Sequence, residues 1–563
     1  MLQHTLKGKR ERICSTPFHP LIFISRNLHS SFLIFPSPRG GWVGAFSFLS
    51  FSMKLSLLIL AFLPLPLLAQ EESDKGIERL WNNTEIFVEG STTFSDGDFA
   101  PFWLTANHYG VSSIKKNSAY LRTGIGRSIE TDSLRQWRIG YGADFVLAKN
   151  FTSKFFIQQL YAEAEYKGWR FTFGSKEREM ELKNDKLSTG ELLQSINAHP
   201  IPQFRIDRPY FWSIPGTKGW LSVKGHFAYG WFTDGSWNES FTSEARATAK
   251  ANGTSIPRYY NKTLYHSKAG FLRIGNEEKF PLSFTGGFQM CAQFGGEAWN
   301  VGKRPDDDSD FDPSHVKQSR GFSSFWHAFI PGGSDESDGK FKNNEGNLLG
   351  DYLLSLDYHG KGWSIRTYAD HFFEDSSGLF WDFGWKDWMW GWEVNLPKNP
   401  FVQTLLYEHL TTKDQSSGIY HDDTPALDIH NCGIDNYYNH NFYGWQHWGQ
   451  AVGNPLLLSP IYNSDTQLMF YHNRIMSHHV GISGFPTEEL QYRLLWTFVK
   501  SWGTYNYPTT DPLTAHYYLI ELNYQPKRLK GWNFTASCGI NHGSLIGKST
   551  GGQITIRKTF SKR

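Results

Sequence analysis

Past its first 70 residues the chain has no apolar run approaching the roughly 18 residues of a membrane-crossing helix. Its mean hydropathy is −0.46. A bundle of membrane helices is thereby excluded. Cysteine is scarce, with 4 in 563 residues. Cys14, Cys291, Cys432 and Cys538 lie far apart and form no CxxC pair, which argues against a zinc site or a disulfide framework. A single bridge among the last three stays open. The formal net charge is only +2, so there is no bulk footprint for nucleic acid and no such partner is expected. The HExxH signature of a zinc hydrolase is also missing.

Aromatic residues are abundant. They make up 16% of the chain, with 22 Trp, 26 Tyr and 44 Phe. That excess suits a protein that places rings at two water–lipid interfaces; an aromatic-rich secreted β-protein is the other reading. Met53 to Gln70 reads as a secretory signal peptide: a charged start, a short Pro-containing apolar run, then a small residue and acidic sequence from Glu71. Cleavage is expected after Ala69. Residues 1–52 are expected to be a non-native N-terminal extension, 53–69 the signal peptide, 70–83 a short periplasmic lead-in and 84–563 the barrel. The lead-in leaves no room for an N-terminal plug domain.

The remainder alternates with period two in segments of roughly ten residues, as a transmembrane β-barrel requires. Trp137, Ile139, Tyr141, Ala143, Phe145 and Leu147 share one face; Arg138, Gly140, Gly142, Asp144 and Ala148 share the other, with Val146 out of pattern. Leu490, Tyr492, Leu494, Trp496 and Phe498 alternate with Glu489, Gln491, Arg493 and Thr497. Ile554, Ile556 and Phe560 alternate with Gln553, Thr555, Arg557 and Thr559. This reading gives an all-β, antiparallel transmembrane barrel of about 18 strands. Their expected starts are Thr84, Asn117, Gln136, Lys154, Trp169, His199, Gly219, Lys262, Phe280, Asn347, Trp363, Phe383, Phe401, Thr466, Glu488, Ala515, Trp532 and Gly551. Alternate connections, such as Tyr166–Gly168 and His359–Gly362, are short turns. The long ones, Ser95–Lys116, Glu177–Ala198, Thr233–Asn261, Gly296–Gly346 and Lys413–Asp465, all fall on the opposite side. An outer-membrane barrel sorts its loops this way, with the long loops outside and free to fold into the lumen.

Candidate chemistry is sparse on the strands. Asp306–Asp312 is acidic but lacks the glycine and the bidentate glutamate of a calcium loop. No metal site is expected from it, nor from His440, His447, His478 and His479. Trp381, Trp385, Trp388, Trp390 and Trp392 read as a lipid-facing girdle. Arg366, Asp370 and Glu374 on one strand, with Asp387 and Glu393 on the next, should face the lumen and neutralise one another. The segment Asp435–Pro455 mixes rings with amides and carboxylates in a long outside loop. Rings stack on the apolar faces of sugars, and amides and carboxylates hold their hydroxyls. Candidate polysaccharide-binding residues are Tyr437, Tyr438, Asn439, Trp445, Trp448 and Asn454, with Trp299 on another long loop.

The same loop carries a family resemblance. Tyr437-Tyr438-Asn439, Gly444-Trp445, Gly449 and Gly453-Asn454-Pro455 resemble the signature of the Wzi family of capsule assembly proteins. Arg208 to Trp220 and Asn344-Glu345-Gly346-Asn347 with Leu349-Gly350 do so too. The resemblance implies an 18-stranded outer-membrane lectin. Such a protein binds capsular or other extracellular polysaccharide, helps attach it to the cell surface, and is not an enzyme. The expected partners are that polysaccharide and outer-membrane lipid, including lipopolysaccharide. A monomer without cofactors is expected. Two rival readings remain: a porin for small solutes, and an outer-membrane hydrolase of lipid or glycan.

Overall fold

Alternating β-branched and aromatic residues favour a pleated, half-exposed ladder, and the chain forms one around a full circle. The computed structural model describes residues 81–132, 135–301, 312–333, 344–374, 385–416 and 435–561. Among them is an 18-stranded antiparallel sheet. Its first half is β1 (Glu85–Ser95), β2 (Asn117–Arg127), β3 (Trp137–Lys149), β4 (Phe155–Tyr166), β5 (Trp169–Ser175), β6 (Gln203–Ser213), β7 (Leu221–Trp231), β8 (Leu264–Ile274) and β9 (Leu282–Phe294). Its second half is β10 (Asn347–His359), β11 (Ser364–Glu374), β12 (Trp388–Asn395), β13 (Thr404–Thr411), β14 (Ile475–Gly484), β15 (Leu490–Gly503), β16 (Pro508–Tyr524), β17 (Trp532–Gly543) and β18 (Ser549–Ser561). Each strand pairs with the next, and β1 pairs with both β2 and β18, so the barrel closes. Closure removes the unpaired edges that lipid would not tolerate.

The two faces differ as the alternation requires. Leu147, Ile520 and Ile554 are 57%, 56% and 57% exposed on the outer wall, whereas Asp144, Thr497 and Ser501 are enclosed on the inner one. No helix among the described residues is long and apolar enough to cross a membrane; the strands do so. Val146, out of pattern in the sequence, faces inward and packs with Val111 and Phe156.

Three strand starts differ from expectation by five residues or more. Phe383 lies outside the described residues, and that strand begins at Trp388. The segment from Thr466 does not join the wall until Ile475, because Leu468 and Phe470 turn inward and are buried. β16 begins at Pro508 instead of Ala515, since it continues outward in a hairpin with β15. The acidic tract is outside the described residues except for Asp312, as are Trp381, Cys14, Cys432, the leader 1–52 and the signal segment 53–69. Cys291 and Cys538 are free thiols.

The long loops carry their own structure. Helices α1 (Gly235–Phe241) and α2 (Ser243–Asn252) follow β7. A small three-stranded sheet joins Tyr259–Asn261, Glu297–Trp299 and His315–Lys317. Helix α3 (Phe322–Phe329) lies against the outer wall of the barrel, burying Met290, Ala292 and Phe294 of β9. Phe322, Trp326 and Ile330, spaced four apart, remain 88%, 51% and 48% exposed on its other side, a second apolar face turned away from the barrel.

Candidate functional site

Loop length on one side creates room for chain inside the barrel, and apolar residues within those loops supply the reason to enter it. Three segments, 96–116, 176–202 and 435–474, fill the outer half of the lumen. Their Trp103, Leu192, Leu193, Trp445, Leu457 and Phe470 share one buried cluster with Leu406, Leu410 and Leu495 of the inner wall.

Polar groups of the wall anchor these segments. Glu408 of β13 accepts hydrogen bonds from Ser188 Oγ (2.5 Å), Thr189 N (2.8 Å), Thr189 Oγ1 (2.7 Å) and Tyr368 Oη (2.6 Å). Asp370 of β11 pairs with Lys183 Nζ at 2.6 Å and accepts from Leu192 N at 2.9 Å; both charged side chains are 0% exposed. Buried carboxylates are costly unless paired in this way. Burial opposes the charge on Lys183, but Asp370, Glu408 and Glu191 outweigh it and hold its pKa above the ordinary lysine value. Burial lifts Glu191 to about 8. It lowers His199 to about 3 and also depresses His447, so both imidazoles are neutral.

The expected sugar-binding residues divide into two sets. Tyr437, Tyr438, Trp445 and Asn454 are at most 1% exposed. Tyr438 Oη donates to Leu192 O, and Trp445 Nε1 donates to Leu193 O at 2.7 Å. Asn454 Nδ2 donates to Gly190 O at 2.7 Å. Tyr438, Trp445 and Asn454 thus tie two plug segments together, whereas Tyr437 Oη donates to Asp387, just before β12, at 3.3 Å; the rings and amide of all four face protein in this conformation. Asn439 is half-buried and holds Phe470 through both its amide atoms.

Trp448 and Trp299 stay part-open. Trp448 Nε1 donates to Thr233 Oγ1 at 3.1 Å. Trp299 stacks between Tyr259 and His315, 4.7 Å from each. The Arg246 guanidinium lies 4.3 Å from the Tyr259 ring, and Glu297 binds Lys262 at 2.7 Å beside it. Trp299 was expected from the sequence, but its partners Arg246, Tyr259 and His315 were not, because the four come from α2 and three separate short strands.

Of the five lumen-facing polar residues, Arg366, Asp370, Glu374 and Asp387 bond to the plug, and Glu393 does not. Arg366 bridges Asp357 (2.6 Å) and Leu182 O (3.1 Å). Glu374 accepts from Tyr438 N, and Asp387 from Gln415 N at 2.6 Å and Asp414 N at 3.0 Å. Glu393 accepts from Asn395 at 3.0 Å.

Below the plug, on the side of the short turns, a chamber of about 960 Å³ remains, lined by charged groups including Arg127, Glu130, Glu163, Arg170, Arg178 and Arg205. Most of its charges are paired, as Arg170 with Glu165 (2.9 Å) and Lys176 with Glu163 (2.6 Å). Beside it Ser267 Oγ and His226 Nε2 are 2.7 Å apart. This is a nucleophile–base spacing, with Glu181 3.7 Å from His226 Nδ1, beyond hydrogen-bond length. Ser267 is 1% exposed, so its hydroxyl is closed to substrate and the pair reads as a buried polar contact. The histidines weighed as metal ligands scatter: His479 faces the plug, His478 the outer wall, His447 the loop before α1, and His440 stacks on Tyr443. Among the described residues no cluster of three or more metal-ligating side chains occurs.

No family model and no curated protein matches the chain. Solved structures do. Wzi of Escherichia coli, described as an outer-membrane protein involved in group 1 capsule assembly and a carbohydrate-binding β-barrel, superposes with a TM-score of 0.51 at 12% identity over 87% of each chain. OccAB4 of Acinetobacter baumannii and OprD of Pseudomonas aeruginosa overlay at 0.40 and 9% identity. Each covers 86% of this chain, over 99% and 95% of its own length respectively. The first likeness shows a shared barrel fold. Closed, eighteen-stranded and apolar outside, the chain is a β-barrel of a Gram-negative outer membrane.

Proposed function

We propose that the protein binds a capsular or other extracellular polysaccharide at its outer mouth and assists the assembly or attachment of that polymer at the cell surface. The observation that carries this reading is the packed outer half of the lumen, where wall and loops share one buried core. A barrel built that way offers a solute no ready path, and its loops are held rigidly enough to present a binding surface. The part-open Trp299 and Trp448, with Arg246, Glu297 and His315 near the first, supply the rings and polar groups that sugars require. Tyr437, Tyr438, Trp445 and Asn454 serve it by shaping the surface from below. The fold shared with a barrel described as carbohydrate-binding is consistent with the same reading. The protein acts as a monomer and without catalysis.

The test is binding of the purified barrel to the surface polysaccharide of its own cells. Trp299→Ala with Trp448→Ala should weaken binding by about tenfold or more; unchanged binding would reject these two residues as the site. The open chamber favours one second reading, conduction through a plug that moves. Steady open-channel conductance of the wild-type barrel in a planar bilayer would promote it over the first.

A further inference from the structure

At the outer ends of β13, β14 and β15 the barrel register gathers three cations that are remote in sequence. Lys413 follows β13, Arg474 precedes β14, and Lys500 lies near the end of β15. All three alternate in phase with the lipid-facing residues of their strands. They converge on two rings: Lys413 and Lys500 lie 4.6 and 5.2 Å from the Trp502 ring, and Arg474 lies 3.6 Å from that of Tyr505. Arg474 Nε also donates to Lys413 O at 3.1 Å, and Tyr505 Oη to Asp414 O at 2.9 Å, which fixes the group. The nearby acid, Asp414, is engaged by Lys386 at 3.3 Å. Among the described residues no carboxylate forms an ion pair with Lys413, Arg474 or Lys500.

We propose that this cluster binds the phosphate groups of a phosphorylated glycolipid in the outer leaflet. Three like charges held together repel one another, and an anion between them reverses that cost. Ring faces position the cations while leaving their outer N–H groups free for oxygen, and phosphate oxygens accept such charge-assisted bonds well. The location selects the source of the phosphate. One step further into the wall, the register aligns Trp390, His409, His478 and Phe498 across β12 to β15. Leu494, Val480 and Leu405 continue on the same face below them. A ligand at the cluster therefore has its head among cations and its tail against an apolar wall, which a lipid satisfies and free phosphate does not. This inference does not depend on the polysaccharide reading.

The experiment is native mass spectrometry of the full chain in detergent, titrated with bis-phosphorylated lipid A and with the same lipid dephosphorylated. The wild type should retain the phosphorylated lipid in preference. The triple variant K413Q/R474Q/K500Q should lose that retention on the order of a hundredfold, from three surface cations near a charged headgroup. Equal retention by a folded triple variant would overturn the proposal. If the variant does not fold, the wild type decides alone: equal affinity for the two lipids overturns it, and a clear preference for the phosphorylated lipid supports it.

Discussion

Replacing Lys183 by Met removes the cation from an ion pair that water cannot reach. Lys183 and Asp370 are each 0% exposed and 2.6 Å apart. After the change Asp370 keeps only the Leu192 N–H at 2.9 Å, a lone bond for a fully buried carboxylate. Breaking a buried pair from one side typically costs about 3–5 kcal/mol. That cost falls on the plug, since Lys183 sits in the loop after β5 while Asp370 sits in the wall. Plug opening should therefore rise on the order of a hundred- to a thousandfold. Hydrogen exchange across Leu182–Ser195 should accelerate while exchange in β11 stays slow. In planar bilayers the variant should show brief conducting events that the wild type lacks. The double variant K183M/D370N removes the stranded charge but keeps an acceptor for Leu192 N, so it should recover most of the loss. Unchanged loop exchange in K183M, or a double variant as loose as the single one, would refute the idea that this pair pins the plug.

Three further outcomes follow from the same packing. Burial holds the Glu191 carboxyl at about 8, above its unfolded value. Its contribution is intact below the ordinary glutamate range and is lost as pH rises through about 8, so loop exchange corrected for intrinsic rate should be faster at about pH 9 than at about pH 6. E191Q should flatten that difference, and a flat wild-type profile would remove Glu191 from the explanation. Trp445→Ala should loosen the plug by about 3–5 kcal/mol through its cavity alone, read as lost protection in Leu192 and Leu193; wild-type protection would contradict the packing. Lys268, on the outer wall, donates to Phe329 O at the C-terminal end of α3. Lys268→Leu should destabilise that helix by about 1 kcal/mol, seen as faster proteolysis near Phe329, and equal rates would deny the cap.

Much of the barrel was legible because each strand must show lipid one face and the lumen the other. Leu147 beside Asp144, or Trp496 beside Thr497, announces that geometry in sequence alone. The error at Thr466 has the same origin. Leu468 and Phe470 alternate with Gln467 and Met469 as a strand would, but they face a packed plug and not lipid, and local pattern does not distinguish the two apolar surroundings. The plug itself had a signal in Leu192-Leu193 and Leu456-Leu457-Leu458, runs too apolar for loops that stay in water. Helix α3 had one in the four-residue spacing of Phe322, Trp326 and Ile330. The loop proposed to shape the binding surface, 435–455, stood out as a segment but not residue by residue. Tyr438 and Trp445 have the chemistry of a sugar platform and the position of core residues, and only the fold distinguishes these roles. The Lys413–Arg474–Lys500 cluster was illegible, since register alone assembles it.

The proposed role of this barrel is to hold polysaccharide outside the cell instead of conducting solutes. Its most direct test is the ratio of cell-attached to shed polysaccharide after the gene is deleted and then restored. Deletion should shift polymer into the medium. Wild-type protein should restore attachment, and the Trp299→Ala/Trp448→Ala protein, present at equal level in the outer membrane, should not. Attachment that is unaffected by deletion would contradict the account.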